Sequence, residues 1–426
     1  MRRLPLAGVR VADVSQVWAG PHCSRMLADL GAEVIKVESI QRMDPVRGDL
    51  DPPQGFGNYP DGNPGEHPYN RAGSFNAVNL NKLGITLNLQ DPRGVAAFQT
   101  LVAISDVVIE NFSLGVMDRL GIGYAALRAV RPDLIMLSMP GFGSGGPESS
   151  YLAYGIGQEQ LSGMVSLTGY GEDTPMKSGI NVGDPISALH GVSAILGALF
   201  YRRRTGIGQF IELSHLEANI PLIGESVLEY TMNQRNPRRI GNRHPRVAPH
   251  GCYPTAGEDT WVTIACFDDS EFRALCQAME LEMLADDLRF ATMPARTAHQ
   301  DELDAIISAW TRQRTHYEAM HILQAAGVAA GAVLNTAEVM SDPQIVARGF
   351  FEEVTHPEAG THAYPGVPYK LSGHSLTVRR PAPMLGEQNA EVLLDLLGIE
   401  QREFEQLERD HVVGTSACPR YTKLGN

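Results

Sequence analysis

Residues 181–214 read NVGDPISALHGVSAILGALFYRRRTGIGQFIELS and set one carboxylate, Asp184, at the mouth of a long apolar helix. Asp184 reads as the N-cap and Pro185 as the first helical residue, because proline has no N–H to leave unpaired. Two chemistries are open to such a carboxylate. As a cap it accepts from backbone N–H groups, the commoner use of an aspartate before a helical proline. As a nucleophile it attacks a carbonyl carbon and becomes covalently modified, for which it must be ionised. The two roles are compatible, since N–H donors and the helix dipole favour the charged form.

Other chemistry-bearing residues form no comparable pattern. His190 falls on the same helix as Asp184 but not on the face of the cap, and reads as a packing residue. His215, His244 and His250 share no metal-ligand spacing and read as packing or solvent-exposed histidines. The five cysteines, Cys23, Cys252, Cys266, Cys276 and Cys418, contain no CxxC pair and read as reduced thiols of a cytosolic enzyme. No metal site is expected. The arginines at 202–204 sit at the negative pole of the helix and complement its dipole.

The elements that position Asp184 follow from periodicity. Ile186, Leu189, Val192, Leu196, Leu199 and Phe200 recur at helical spacing, so this helix is expected to pack into a core. Upstream, residues 9–14, the helix AGPHCSRMLADLG and the strand AEVIKVE make a βαβ start, which implies a parallel sheet. Residues 40–80 read as a long loop without periodicity. ITLNL, a helix over 92–104, DVVIEN and LIMLSMPGFG repeat the alternation, FIELS adds a last strand, and a helix follows at about 217–232. After the polar stretch NQRNPRRIGNRHPRVAPHG come two strands in GCYPTAGEDTWVTIAC and helices near 269–279, 296–312 and 316–326, a smaller α+β domain. The tail carries the strand-like pieces FEEVTH and YKLSG and a final amphipathic helix, NAEVLLDLLG. The domain reading is therefore 1–235, 236–341 and 342–426.

The βαβ start invites a dinucleotide-binding reading with Glu38 on a ribose. The first turn, WAGPHCS, has a single glycine where GxGxxG is needed, so NAD is rejected and Glu38 reads as a structural residue at a strand end. A net charge of −14 argues against a nucleic-acid binder. The start, MRRLPLAGVRVADVS, is broken by Arg10 and Asp13 and is not a secretory signal. No uninterrupted apolar run approaches the ~20 residues of a membrane span, so cytoplasm is the default compartment.

The motifs then become specific. PLAGVRVADVSQVWAGPHCSRMLADLGAEVIKVE, NLNKLGITLNLQDPRG, VVIENFSLGVMDRLGIGY and LIMLSMPGFGSGGP resemble, in order, the class III CoA-transferases, also called the CaiB/BaiF or formyl-CoA transferase family. The Gly-Asp at 183–184, TGIGQFIELS, RIGNRHPRVAPHGCYP, LRFATMPAR, GVAAGAVLNTAEVMSDPQIVARGFF and APMLGEQNAEVL continue the match over nearly the whole chain. The resemblance implies a Rossmann-like large domain with a parallel sheet, built from both chain ends, with a smaller α+β domain between them. It also implies an interlinked homodimer.

The resemblance further implies that Asp184 is the nucleophile. Its carboxylate attacks an acyl-CoA thioester to give a mixed anhydride and CoA thiolate. The thiolate then forms an aspartyl-CoA thioester and releases the donor acid, and the acceptor carboxylate runs the sequence in reverse. CoA or acyl-CoA is thus a substrate, no tightly bound cofactor is implied, and succinyl-CoA is the donor expected at family level. Family positions for CoA map onto Val17, Trp18, Leu87, Gln90, Asn111, Phe112, Arg119 and Tyr154. Phe112 would cover the adenine and Arg119 would neutralise a phosphate.

The chain departs from the family in AYGIGQEQLSG, where many members carry Tyr-Asp or Tyr-Glu followed by glutamine. Here Gly155 replaces the acid and Glu159 takes the glutamine position, both on the acyl side of the expected pocket. The glycine-rich loop of formyl-CoA transferase is not evident, which leaves formate and oxalate unsupported. An α-methylacyl-CoA racemase needs a His/Asp pair where this chain has Tyr154 and Gly155. A non-catalytic acyl-CoA-binding protein would have no use for Asp184.

Overall fold

The computed structural model describes residues 3–53, 57–152, 154–171 and 174–418. The chain divides into two compact units, one of Met1–Met164, Ser178–Val227 and Gly349–Asn426, the other of Val165–Lys177 and Leu228–Arg348.

In the first unit the apolar runs become a six-stranded sheet, in the order β3-β2-β1-β4-β5-β6. The strands are β1 (Arg10–Asp13), β2 (Glu33–Glu38), β3 (Lys82–Thr86), β4 (Val107–Glu110), β5 (Ile135–Ser138) and β6 (Phe210–Glu212). Every neighbouring pair is parallel. Such a sheet is covered on both faces, so its inner strands are mostly apolar, with Asp13, Lys36 and Lys82 buried among them. One face presents Val11, Val34, Val107, Ile109, Ile135 and Leu137 to Cys23 and Leu27 of α1 (Ala19–Asp29). The alternate residues Ala12, Ile35, Leu83, Val108 and Met136 meet Phe98 and Leu101 of α2 (Pro92–Ala103), together with Val392, Phe404 and Leu407 from the chain's last segment. The strand order reverses between β1 and β4, where a parallel sheet opens a crevice at its carboxyl edge.

Three further helices concern the site: α3 (Gly155–Leu161), α4 (Gly183–Thr205) and α5 (His215–Asn219). In α4 the N-cap position is Val182, and Asp184 lies inside the first turn without capping the helix. This corrects the expected cap. The buried face of α4 is the expected one only in part: Val192, Leu196 and Leu199 pack against the core as their spacing implies. Ser187, Ala188, Gly191, Ile195 and Ala198 face inward, while Leu189 and Phe200 are 55% and 64% exposed. Close approach is the reason: a Cβ on Gly191 would stand 3.0 Å from Leu137 of β5 and 3.1 Å from Cys23 Sγ of α1. By length and mean hydropathy α4 is the one helix among the described residues that is long and apolar enough to cross a membrane, and this small-residue face packs against protein here.

Other expectations change in detail. The long loop contains helices at Pro68–Arg71 and Gly73–Val78, stabilised by buried Arg47 donating to the Tyr69 carbonyl rather than by any periodicity. The helix expected near 217–232 breaks at a 3-10 turn, Ile220–Ile223, where Pro221 has no N–H for a continuous helix. FEEVTH forms β-structure, pairing antiparallel with Gly360–Pro365, whereas YKLSG contributes only an isolated bridge from Leu371 to His374.

The second unit holds an antiparallel sheet of His250–Pro254, Trp261–Ala265 and Ala329–Val333, paired in that order. Helices Asp269–Ala278, Gln300–Thr311 and His316–Ala325 cover it through Phe272, Leu303 and Leu323. The helix expected at 296–312 is two helices, Met293–Ala298 and Gln300–Thr311.

Candidate active site

At the β1/β4 edge the chain leaves β1 through a strained turn. Val17 has φ 68°, a left-handed conformation that β-branched residues rarely adopt. Side chains from the loop after β2 and from the end of β4 hold it there. The Val17 N–H donates to Asp44 Oδ1 at 2.9 Å. Asn111, following β4, accepts from the Gln16 N–H and donates to the Gln16 carbonyl, both at 2.8 Å. Gly20 lets α1 start against this turn, because a Cβ there would meet Ser15 Cβ at 2.3 Å.

Under the turn lies a fully buried charge network. Lys36 pairs with Asp44 at 3.0 Å and donates to the Ser15 carbonyl at 2.8 Å. Lys82 pairs with Asp13 at 3.1 Å, and Asp13 also takes the hydroxyls of Ser15 and Ser24. Burial pushes Asp13 up, but Lys82, Lys36 and the two hydroxyls together hold it below the usual carboxylate range. Burial dominates at Lys82, which falls to about 8 despite Asp13. Glu38 forms a buried ion pair with Arg47 at 2.7 Å, the structural role expected of it.

The turn brings Val17, Trp18 and Asn111 together, with Phe112 next in the chain after Asn111. Phe112 is half-buried against the core, and its N–H donates to Glu110 Oε2 at 2.8 Å. Leu87 is fully buried in the core beyond β3. Gln90 lies exposed on the turn before α2, and Arg119 is exposed at the end of the short helix Val116–Arg119. Among the described residues Arg119 forms no salt bridge.

Asp184 stands with α3 and α5, the latter starting just past β6. The carboxylate that serves the N-terminus of α4 is Glu159 of α3, which is 1% exposed. Glu159 Oε1 accepts from the Gly183 N–H at 3.4 Å, and its two oxygens accept from Ser178 Oγ at 3.0 and 2.9 Å. Ser178 Oγ in turn accepts from the Val182 N–H at 3.3 Å. Asp184 is thereby left without a capping duty. Its Oδ1 lies 3.7 Å from Nδ1 of His215. Gly155 presses on the carboxyl group, and a Cβ there would stand 2.7 Å from Oδ2. Tyr154, at the start of α3, is 71% exposed.

Electrostatics reverses the simple expectation for Asp184. Burial, and then the charge of Glu159, raise its pKa to about 6. Burial lowers His215 to about 4, against an opposing pull from the Met139 carbonyl, so the imidazole is neutral where Asp184 ionises. A carboxylate of this basicity is ionised at neutral pH yet more nucleophilic than an exposed one. His190 is exposed rather than packed. His215 is the residue that sequence reasoning passed over, because no spacing relates it to Asp184 and the fold alone joins them. Among the described residues no group of three or more His, Cys, Asp or Glu stands close enough to hold a metal ion.

The model of CoA-transferase family III matches residues 6–389. The succinate–glutarate CoA-transferase of Agrobacterium fabrum is 37% identical over 94% of this chain and 98% of its own length. The succinyl-CoA–D-citramalate CoA-transferase of Chloroflexus aurantiacus is 35% identical over 96% of this chain and 98% of its own. The crystal structure of a CaiB/BaiF family protein from Brucella suis superposes with a TM-score of 0.83 at 33% identity, covering 93% of this chain and all of that one.

Proposed function

The chain belongs to CoA-transferase family III, and from that premise we propose that it moves CoA from succinyl-CoA to a free dicarboxylic acid through covalent intermediates on Asp184. Transfer of CoA from an acyl-CoA to an acid is the activity that relatives across nearly the full length are named for. The observation that carries the mechanism is Asp184 itself: a carboxylate with a side chain only 13% exposed, free of capping duty, with its pKa raised to about 6.

One carboxylate oxygen of Asp184 attacks the thioester carbon. A C–O bond forms, the C–S bond breaks, and CoA leaves as thiolate. The thiolate then attacks Cγ of Asp184, forming the aspartyl-CoA thioester and expelling the donor as its carboxylate. The acceptor carboxylate attacks the same Cγ and releases thiolate, which attacks the acceptor's acyl carbon and restores aspartate. No net proton is consumed, and the thioester's free energy is kept so long as water stays out.

In this reading the turn of Val17 and Trp18 with Asn111, Phe112 and Arg119 receives CoA, and Tyr154 and Gly155 face the acyl end. The exposed Leu189 and Phe200 of α4 support a homodimer that covers this face. Two relatives pair succinate or succinyl-CoA with the five-carbon diacids glutarate and citramalate, which supports a five-carbon diacid as acceptor here. The test is a panel of mono- and dicarboxylic acids incubated with succinyl-CoA and read by the mass of new thioesters. Five-carbon diacids are expected to dominate; no new thioester with any acid contradicts the proposal.

A further inference from the structure

We propose that His215 is the hydrogen-bond donor to Oδ1 of Asp184, leaving Oδ2 to attack the thioester and stabilising the oxyanion that forms on Oδ1 whenever Cγ is attacked. The inference rests on Asp184 being the nucleophile and assigns the polar group that serves it.

Three observations carry it. His215 is only 7% exposed, and its neutral imidazole has one N–H for two acceptors, the Met139 carbonyl and Oδ1 of Asp184, of which the Nδ1–H tautomer serves Asp184. Its Nδ1 faces Oδ1 of Asp184 at 3.7 Å, longer than a hydrogen bond but closed by less than 1 Å of movement, as catalytic contacts do when substrate arrives. The backbone of His215 is fixed: its N–H donates to the Pro140 carbonyl at 3.3 Å, and its carbonyl accepts from Asn219 Nδ2 at 2.7 Å. The imidazole is therefore aimed by α5 and the loop after β5.

The reaction makes this placement useful. In two steps the attacked atom is Cγ of Asp184, by thiolate and later by the acceptor carboxylate. Each drives electrons from the Cγ–Oδ1 double bond onto Oδ1, and each needs a donor there. Gly155 leaves the approach open, since the space that a Cβ would fill lies 2.9 Å from Cγ. Asp184 and Glu159 are the charged groups that bear on this pair, and Glu159 is held by Ser178 and Gly183. A neutral donor facing Oδ1 also favours ionised Asp184, so removing it raises the pKa and moves the acid limb of kcat/KM to higher pH.

The test compares His215→Leu with His215→Asn, whose amide Nδ2 stands near the place of Nδ1. Leucine is expected to lower kcat about 100-fold, with the acyl-CoA KM within about threefold and the acid limb displaced upward. Asparagine is expected to restore most of the rate and return the limb. A leucine variant with wild-type kcat and limb, in a protein whose wild type forms the CoA adduct on Asp184, overturns the role of His215 alone. Absence of that adduct from the wild type overturns the nucleophile reading and this proposal with it. Should leucine not fold, wild-type enzyme labelled with 15N-histidine decides. The Nδ1 resonance of His215 is expected to move with a midpoint near 6 and to stop doing so in Asp184→Asn; no inflection overturns the proposal.

Discussion

Gly155 lies against the carboxyl group of Asp184, so closely that a Cβ on it would stand 2.7 Å from Oδ2, 2.9 Å from Cγ and 3.0 Å from Oδ1. Any side chain there must displace the carboxylate. Gly155 has an ordinary backbone conformation at the start of α3, so alanine adds no backbone strain. Gly155→Ala is expected to melt as the wild type does and to lose about 100-fold in kcat, the scale for a misplacement of roughly 1 Å. Unaltered kcat would mean that the carboxylate position is not critical.

Glu159 supplies the negative charge that, after burial, raises Asp184. Removing that charge lowers the Asp184 pKa and extends activity to lower pH. Glu159→Gln keeps an acceptor for the Gly183 N–H and is expected to fold. The acid limb of kcat/KM should move below its wild-type midpoint near 6, and an upward shift would contradict the assignment.

Ionised Asp184 also weighs on stability. Its pKa rises from 3.8 to about 6 on folding, so the folded state binds the proton more tightly. The charge destabilises the native state by nothing below about 3.8 and by a growing amount as pH rises to 6; the full penalty, ~3 kcal/mol, applies above it. Asp184→Asn removes the charge. Denaturant melts should therefore find it more stable than the wild type at pH 8, with the gain shrinking as pH falls through 6 to 4, while transfer activity is abolished.

Asp44 joins the Val17 turn to the buried charges, accepting from Val17 N–H and pairing with Lys36. Asp44→Ala leaves Lys36 buried without this partner and frees the strained Val17 turn. A loss of ~3–5 kcal/mol in denaturant melts is expected, with a raised KM for acyl-CoA. A loss under ~1 kcal/mol would show that the network is not holding the turn.

The strands were legible because buried parallel strands are continuous apolar runs, and Val11–Ala12, Val34–Ile35 and Val107–Ile109 are such runs. The inward face of α4 was legible only in part, since Val192, Leu196 and Leu199 pack against the core but Leu189 and Phe200 do not. Large apolar residues suggest burial, but Gly191 and Ala188 allow a closer approach to β5 and α1, and Leu189 is left outside. The Asp-Pro pair at 184–185 resembles a cap, yet the acceptor is Glu159, brought from α3 by tertiary structure. The same non-locality hid His215. Glu38, by contrast, was correctly read as structural, because the missing glycines of the first turn already removed its alternative.

Oxygen bookkeeping on Asp184 tests the covalent mechanism most directly. When thiolate attacks Cγ, the donor acid leaves with an oxygen that belonged to Asp184, and the acceptor carboxylate replaces it. Enzyme turned over with succinyl-CoA and an acceptor labelled with 18O in its carboxylates should yield an Asp184-containing peptide that carries 18O, with no label elsewhere in the chain. Sustained turnover with an unlabelled Asp184 would contradict a covalent intermediate on that residue.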